Sequence, residues 1–222
     1  MAKLQGLHLP KVLTGLPVLL LSACTGTMET RIDPMTRARD LAEACGRSVC
    51  RTELKPIRLR DLEGGEFEYP TEPFPYADGG NVSLFAGEAI LLDFAADGST
   101  VKDPHFVRLI DKVDTAGVRG YGAATANAGK AAPNERHTMS LEFRQESGKP
   151  DMTLLLRSDL NFTVKFDALI WLPTRNGVQV TRTSMCPVLA GTAGFEFWPQ
   201  PIIMIALTNF RVIEAGDTVA CN

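Results

Sequence analysis

The sequence predicts a mainly β fold, an antiparallel sandwich of Ig-like or jelly-roll-like type, preceded by one short N-terminal helix. Three observations carry this. Thr138 to Arg144 alternates cleanly, with Met139, Leu141 and Phe143 on one face and Ser140, Glu142 and Arg144 on the other. Phe162 to Leu172 extends the same period over a longer run, and Asn176-Gly177 after it is a strong two-residue hairpin signal. Turn pairs such as Asp97-Gly98 and Ser147-Gly148 punctuate the rest at strand-length intervals. Short strands with frequent turns argue for packed antiparallel sheets.

At the N-terminus, Lys3 and Lys11 precede an apolar run from Val12 to Leu21. That run is shorter than the ~20 residues a spanning helix needs. A basic start, a short apolar core and small residues before a cleavage point form an export signal. The tetrapeptide Leu21-Ser22-Ala23-Cys24 resembles the lipobox of bacterial lipoproteins. The resemblance implies removal of residues 1–23, acylation of Cys24 and attachment to a membrane through that lipid. Thr25, rather than Asp, follows the Cys, which in that family implies sorting to the outer membrane of a two-membraned cell; the tethered domain is expected to face the periplasm. Residues 24–33 then read as a tether.

Asp33-Pro34 supplies an N-cap acceptor followed by Pro at the first helical position. Ala38, Leu41, Ala42 and Cys45 recur at helical spacing, and Gly46 is the expected C-terminal cap. Residues 34–81 are thus expected to hold a short helix and an extended connector, with brief strands at Ile57–Asp61 and Glu66–Tyr69. Pro70, Pro73 and Pro75 interrupt any ladder, and Asp78-Gly79-Gly80 turns the chain. The sandwich is expected over 82–222, with strands at Val82–Phe85, Glu88–Phe94, Phe106–Ile110, Thr138–Arg144, Met152–Arg157, Phe162–Leu172, Val178–Thr183, Ile202–Leu207 and Phe210–Ile213. The stretch from Asp111 to His137, rich in Gly and Ala, is a long loop, either functional or mobile.

The chain has 222 residues, with 23 Lys+Arg against 26 Asp+Glu. Losing Lys3 and Lys11 with the signal makes the mature protein more acidic. Without basic clusters it is a poor match for nucleic acid. With Cys24 acylated, four cysteines remain: Cys45, Cys50, Cys186 and Cys221. An even count outside the cytoplasm suggests disulfides, and three pairings exist. Cys45–Cys50 with Cys186–Cys221 ranks first; buried free thiols are the alternative. No C-x2-C pair supports a zinc site, and no cofactor is expected.

Catalytic signatures are thin. Gly129-Lys130 fails as a phosphate loop, because Ala124 and Ala131 stand where Gly and Ser or Thr are required. No G-x-S-x-G or H-E-x-x-H run occurs. His105 and His137, with Asp103 and Asp111 nearby, would give a general base if the fold joined them; otherwise they are surface histidines near loop ends. Trp171, Trp198 and Tyr121 form a candidate binding surface, since a surface Trp stacks on sugar rings or partner side chains. The plainer reading is that both Trp rings cap the core.

The run Thr138–Phe143, then Asn161–Ala168, then Cys186-Pro187-Val188 through Phe195 to Ile202 resembles uncharacterised bacterial β-sandwich lipoproteins. The family carries no activity to transfer. The sequence therefore favours a lipid-anchored, non-catalytic module that binds a protein or another envelope component. A carbohydrate-binding module using Trp and a hydrolase using His105 or His137 are the competitors.

Overall fold

The computed structural model describes residues 34–94, 96–97, 100–101, 104–113, 137–175, 177–183 and 185–213. Helix α1 (Pro34–Arg47) opens this range. It runs past Gly46, so the expected glycine cap is instead a residue of the last turn. The end falls where Ser48 N donates to Ala44 O at 2.9 Å.

A hairpin of β1 (Ile57–Arg60) and β2 (Glu66–Tyr69) follows. Its turn is organised by Asp61, whose Oδ1 accepts from Glu63 N and Gly65 N. The supposed connector then adds a strand. β3 (Ala77–Asp78) pairs with β4 (Asn81–Phe85) around Gly79 and Gly80. Both glycines have positive φ, 55° and 79°, as a two-residue primed turn requires.

β5 (Glu88–Asp93) comes next, then the small ladder of β6 (Ala96–Asp97) and β7 (Thr100–Val101), and β8 (His105–Leu109). The remaining strands are β9 (Thr138–Gln145), β10 (Met152–Ser158), β11 (Thr163–Thr174), β12 (Gly177–Thr183), β13 (Ala193–Trp198) and β14 (Met204–Ile213). With β3, β4, β5 and β8 they form two five-stranded antiparallel sheets, ordered β13-β10-β9-β5-β8 and β12-β11-β14-β4-β3. This is the expected antiparallel sandwich.

Two expectations are corrected. β13 is not among the predicted strands. Its Phe-Glu-Phe-Trp run is aromatic on both parities and does not reveal a buried face. The two predicted strands at Ile202–Leu207 and Phe210–Ile213 are one strand, β14. It continues through a bulge at Asn209, whose φ is +55°, opposite the register shift between Lys165 and Asp167. Asn tolerates this left-handed conformation better than most residues, so the ladder bends without ending.

The core lies between the sheets. Ile90, Leu92, Met139, Leu141, Phe143 and Leu154 come from one, and Val82, Leu84, Phe166, Ile170, Ile205 and Leu207 from the other, all buried. Each such side chain contributes about 1.5–3 kcal/mol relative to exposure. At each end of the sandwich a side-chain pair joins the two sheets. The Tyr76 ring, just before β3, stacks on Phe106 of β8 with centroids 4.2 Å apart. At the opposite end, Trp198 Nε1 of β13 donates to Thr183 Oγ1 of β12 at 3.1 Å.

Among the described residues, no helix is long and apolar enough to cross a membrane. Cys45 and Cys50 form the disulfide expected from their spacing. Cys186 is also disulfide-bonded. The calls on Cys24, Asp103, Tyr121 and Cys221 lie outside the described residues.

Candidate functional site

The most built-up polar site begins at a residue with no sequence signature. Beyond the Cys45–Cys50 disulfide the chain becomes extended. Arg51 N donates to Phe74 O, and Tyr76 N to Val49 O. This aligns Val49–Arg51 beside Phe74–Tyr76 and carries the Arg51 side chain inward.

Arg51 is only 4% exposed. Its Nε and Nη2 donate to the two carboxylate oxygens of Glu88, each at 2.6 Å. Nη1 donates to Phe74 O, Pro75 O and Ser83 Oγ, and Nη2 also to Ser83 O. The guanidinium carbon lies 4.2 Å from the Tyr76 ring centre and 4.6 Å from that of Phe85. Burying an ion costs several kcal/mol, and only a full set of partners offsets it. Here every guanidinium nitrogen has a partner, and two aromatic rings lie against the guanidinium. Glu88 is shared, because its Oε2 also accepts from Phe85 N across the Ala86-Gly87 turn. Burial raises the Tyr76 hydroxyl pKa, with the Glu88 charge adding to it and Arg51 opposing, so the phenol stays neutral.

Around this cluster lies a cleft of about 920 Å3, walled by Val49–Glu53 on one side and β8 on the other. Val49, Val107 and Leu109 stand exposed on its rim. β8 is the last strand of its sheet, so one of its edges has no strand neighbour among the described residues. Arg108, between the two apolar side chains, donates to Leu109 O and has no acidic partner among the described residues. Chemically, the arrangement offers exposed apolar side chains, backbone hydrogen-bonding groups on the strand edge and one positive charge. Among the described residues it offers no nucleophile–base pair.

The residues singled out from sequence fare differently. Trp198 is 7% exposed, edge-on to Phe143, with its indole N–H satisfied by Thr183. It is a core residue, which corrects its place in the candidate binding surface. Trp198 shares the inward face of β13 with Glu196. Phe195 and Phe197 face out, at 64% and 51% exposure. Trp171 lies on the outer face of its sheet, between Met204 and Val180 in register, and is half-buried.

His105 is exposed on β8 and His137 is half-buried, 6.1 Å from the Phe162 ring. Asp93 stands opposite both His105 and Thr138 in register. Among the described residues, no hydrogen bond or ion pair joins either imidazole to a carboxylate, so the conditional acid–base pairing does not form there. Nor does any cluster of metal-binding side chains occur among them.

Sequence reasoning missed Arg51 and Glu88. They are 37 positions apart, with no periodic link. The one available signal was a lone Arg directly after a Cys expected in a disulfide. Comparison with protein-family models, with curated proteins and with solved structures finds no match for this chain.

Proposed function

We propose that this is a lipid-anchored envelope protein, attached to the outer membrane through Cys24 and facing the periplasm, that binds an extended segment of another envelope protein. The segment lies along the open edge of β8. The observation that carries this is the cleft rim, where Val107 and Leu109 are exposed on a strand with a free edge. Such an edge recognises a peptide by main-chain hydrogen bonds, and neighbouring pockets sort its side chains. Arg108 favours a segment with an acidic residue between apolar ones. The buried Arg51–Glu88 pair holds the opposite wall in place, so little ordering remains to be done on binding.

The test is site-specific photocrosslinking in intact cells from position 107, with position 180 on β12 as an exposed control. A discrete protein adduct from 107, absent from 180 and lost in Leu109→Asp, supports the reading. Adducts to lipid alone, or equal labelling at both positions, overturn it. Anchoring is tested separately: Cys24→Ala is expected to leave the membrane fraction, and retention there overturns the lipid attachment.

A further inference from the structure

α1 is peripheral. Among its side chains that are described, Thr36, Leu41, Ala44 and Cys45 are half-buried and the rest are exposed. No extensive packing interface joins it to any strand among the described residues. At its C-terminal end, Arg47 Nη2 and Ser48 Oγ both reach Asp78, at 3.3 and 2.7 Å. No acidic residue stands in its first turn, and Gly46 sits in its last. Even with the Glu43–Arg47 ion pair on its last turn, a helix of 14 residues is marginal in water on its own. The covalent tie is Cys45–Cys50, which closes a loop five residues apart between the helix end and Val49–Arg51.

From this we infer that Cys45–Cys50 is a redox latch that holds α1 folded against the domain, and that its reduction releases α1 alone. The division follows from where the next strong contacts begin. Arg51 is fixed by Glu88, Ser83 and two carbonyls whatever the state of the disulfide. Unwinding therefore stops at Val49. Both cysteines are half-buried rather than sealed. One thiolate of a dithiol reductant attacks a sulfur of the pair and forms a mixed disulfide. The second reductant thiol displaces it, leaving two protein thiols and an oxidised reductant.

Release changes length. As a helix, Pro34–Arg47 spans about 21 Å; extended, the same residues reach about 48 Å. If Cys24 holds the lipid, the redox state of Cys45–Cys50 sets how far the cleft stands from the membrane. That consequence rests on the lipid-anchor reading; the latch itself does not.

Hydrogen exchange on the full chain tests the latch. Three samples are compared: oxidised wild type, wild type with dithiothreitol, and Cys45→Ser/Cys50→Ser without reductant. The double variant isolates this bond from the disulfide at Cys186. Amides of Leu41–Arg47 are expected to exchange at least tenfold faster in the second and third samples, while those of Arg51 and Tyr76 hold their oxidised rates. Unchanged exchange in α1 overturns the proposal. So does loss of protection that spreads into β4 and β5 in the double variant, which would make the bond a general staple. For reach, neutron reflectometry of the lipidated protein on a supported bilayer should show a thicker protein layer for the double variant. Faster α1 exchange with no bilayer attachment through Cys24 would sink the tether reading and leave the latch standing.

Discussion

Arg51 and Glu88, 37 residues apart, meet in a two-point ion pair with both N–O distances at 2.6 Å. One partner belongs to the segment leading out of α1, the other to the first residue of β5. The pair fastens the N-terminal extension to the corner where the chain passes from one sheet to the other.

Removing one side of that pair leaves a buried, uncompensated charge. Arg51→Met and Glu88→Gln are each expected to cost about 3–5 kcal/mol. Arg51→Lys should recover only part of the loss, because an ammonium does not reproduce the planar fork. Urea unfolding with the disulfides intact measures this. A double-mutant cycle should show strong coupling, and additive losses would contradict the pairing.

Trp198 and Thr183 offer a smaller test at the other end of the sandwich. Thr183→Val is expected to cost about 1 kcal/mol or somewhat more, since it leaves the indole N–H unsatisfied. Trp198→Ala should cost about 3–5 kcal/mol through the cavity beside Phe143. Phe195→Ser should fall within about 0.5 kcal/mol of wild type, as an exposed position does. Thermal unfolding of the three variants orders them.

That ordering also shows what the sequence makes visible. β9 is readable because one face is core and the other is polar: Met139, Leu141 and Phe143 are fully buried as their alternation predicts. β13 is not, because an edge strand bears Phe on its outer face and Glu on its inner one. β4 forms where a strand was expected, at Val82–Phe85, but without alternation: Arg51 and Phe74 cover its outer face, so Val82 to Phe85 are all buried. The Arg51 site itself depends on contacts between distant segments, which no local pattern records.

Glu196 faces inward and accepts from Cys186 N at 2.8 Å. Burial raises its pKa, with that hydrogen bond partly opposing. A carboxyl whose folded pKa is raised destabilises the fold when ionised, and the penalty fades as pH falls through the raised value. Glu196→Gln keeps an acceptor without the charge. It is expected to raise Tm at pH 7, with the gain shrinking as pH approaches about 4.3, the unfolded Glu value. A constant gain across that window would assign the effect to packing.

Asp167 behaves in the opposite sense. Asn209 Nδ2 donates to its Oδ2 at 3.1 Å and Arg211 to its Oδ1 at 3.3 Å. The Asn209 bond, then the Arg211 charge, lower its pKa despite some desolvation. A depressed carboxylate contributes stability that is present above the unfolded value of about 3.9 and lost as pH falls through the folded one. Asn209→Gly preserves the positive φ but removes the donor, so its deficit should be largest at neutral pH and close in acid. Asn209→Ala should be less stable than Asn209→Gly at every pH, through backbone strain. Acid titration of unfolding for the three proteins separates the two effects.

Near the β1–β2 hairpin, Gln145 at the end of β9 accepts from Arg60 N at 2.8 Å and donates to Arg60 O at 2.9 Å. A side-chain amide thus replaces a neighbouring strand and reads only main chain. The contact is blind to which residue occupies position 60 and exacting about the one at 145. Mutational tolerance should therefore be lopsided across it. Position 60 should accept most residues other than proline, whereas shortening Gln145 even to Asn should set the hairpin loose.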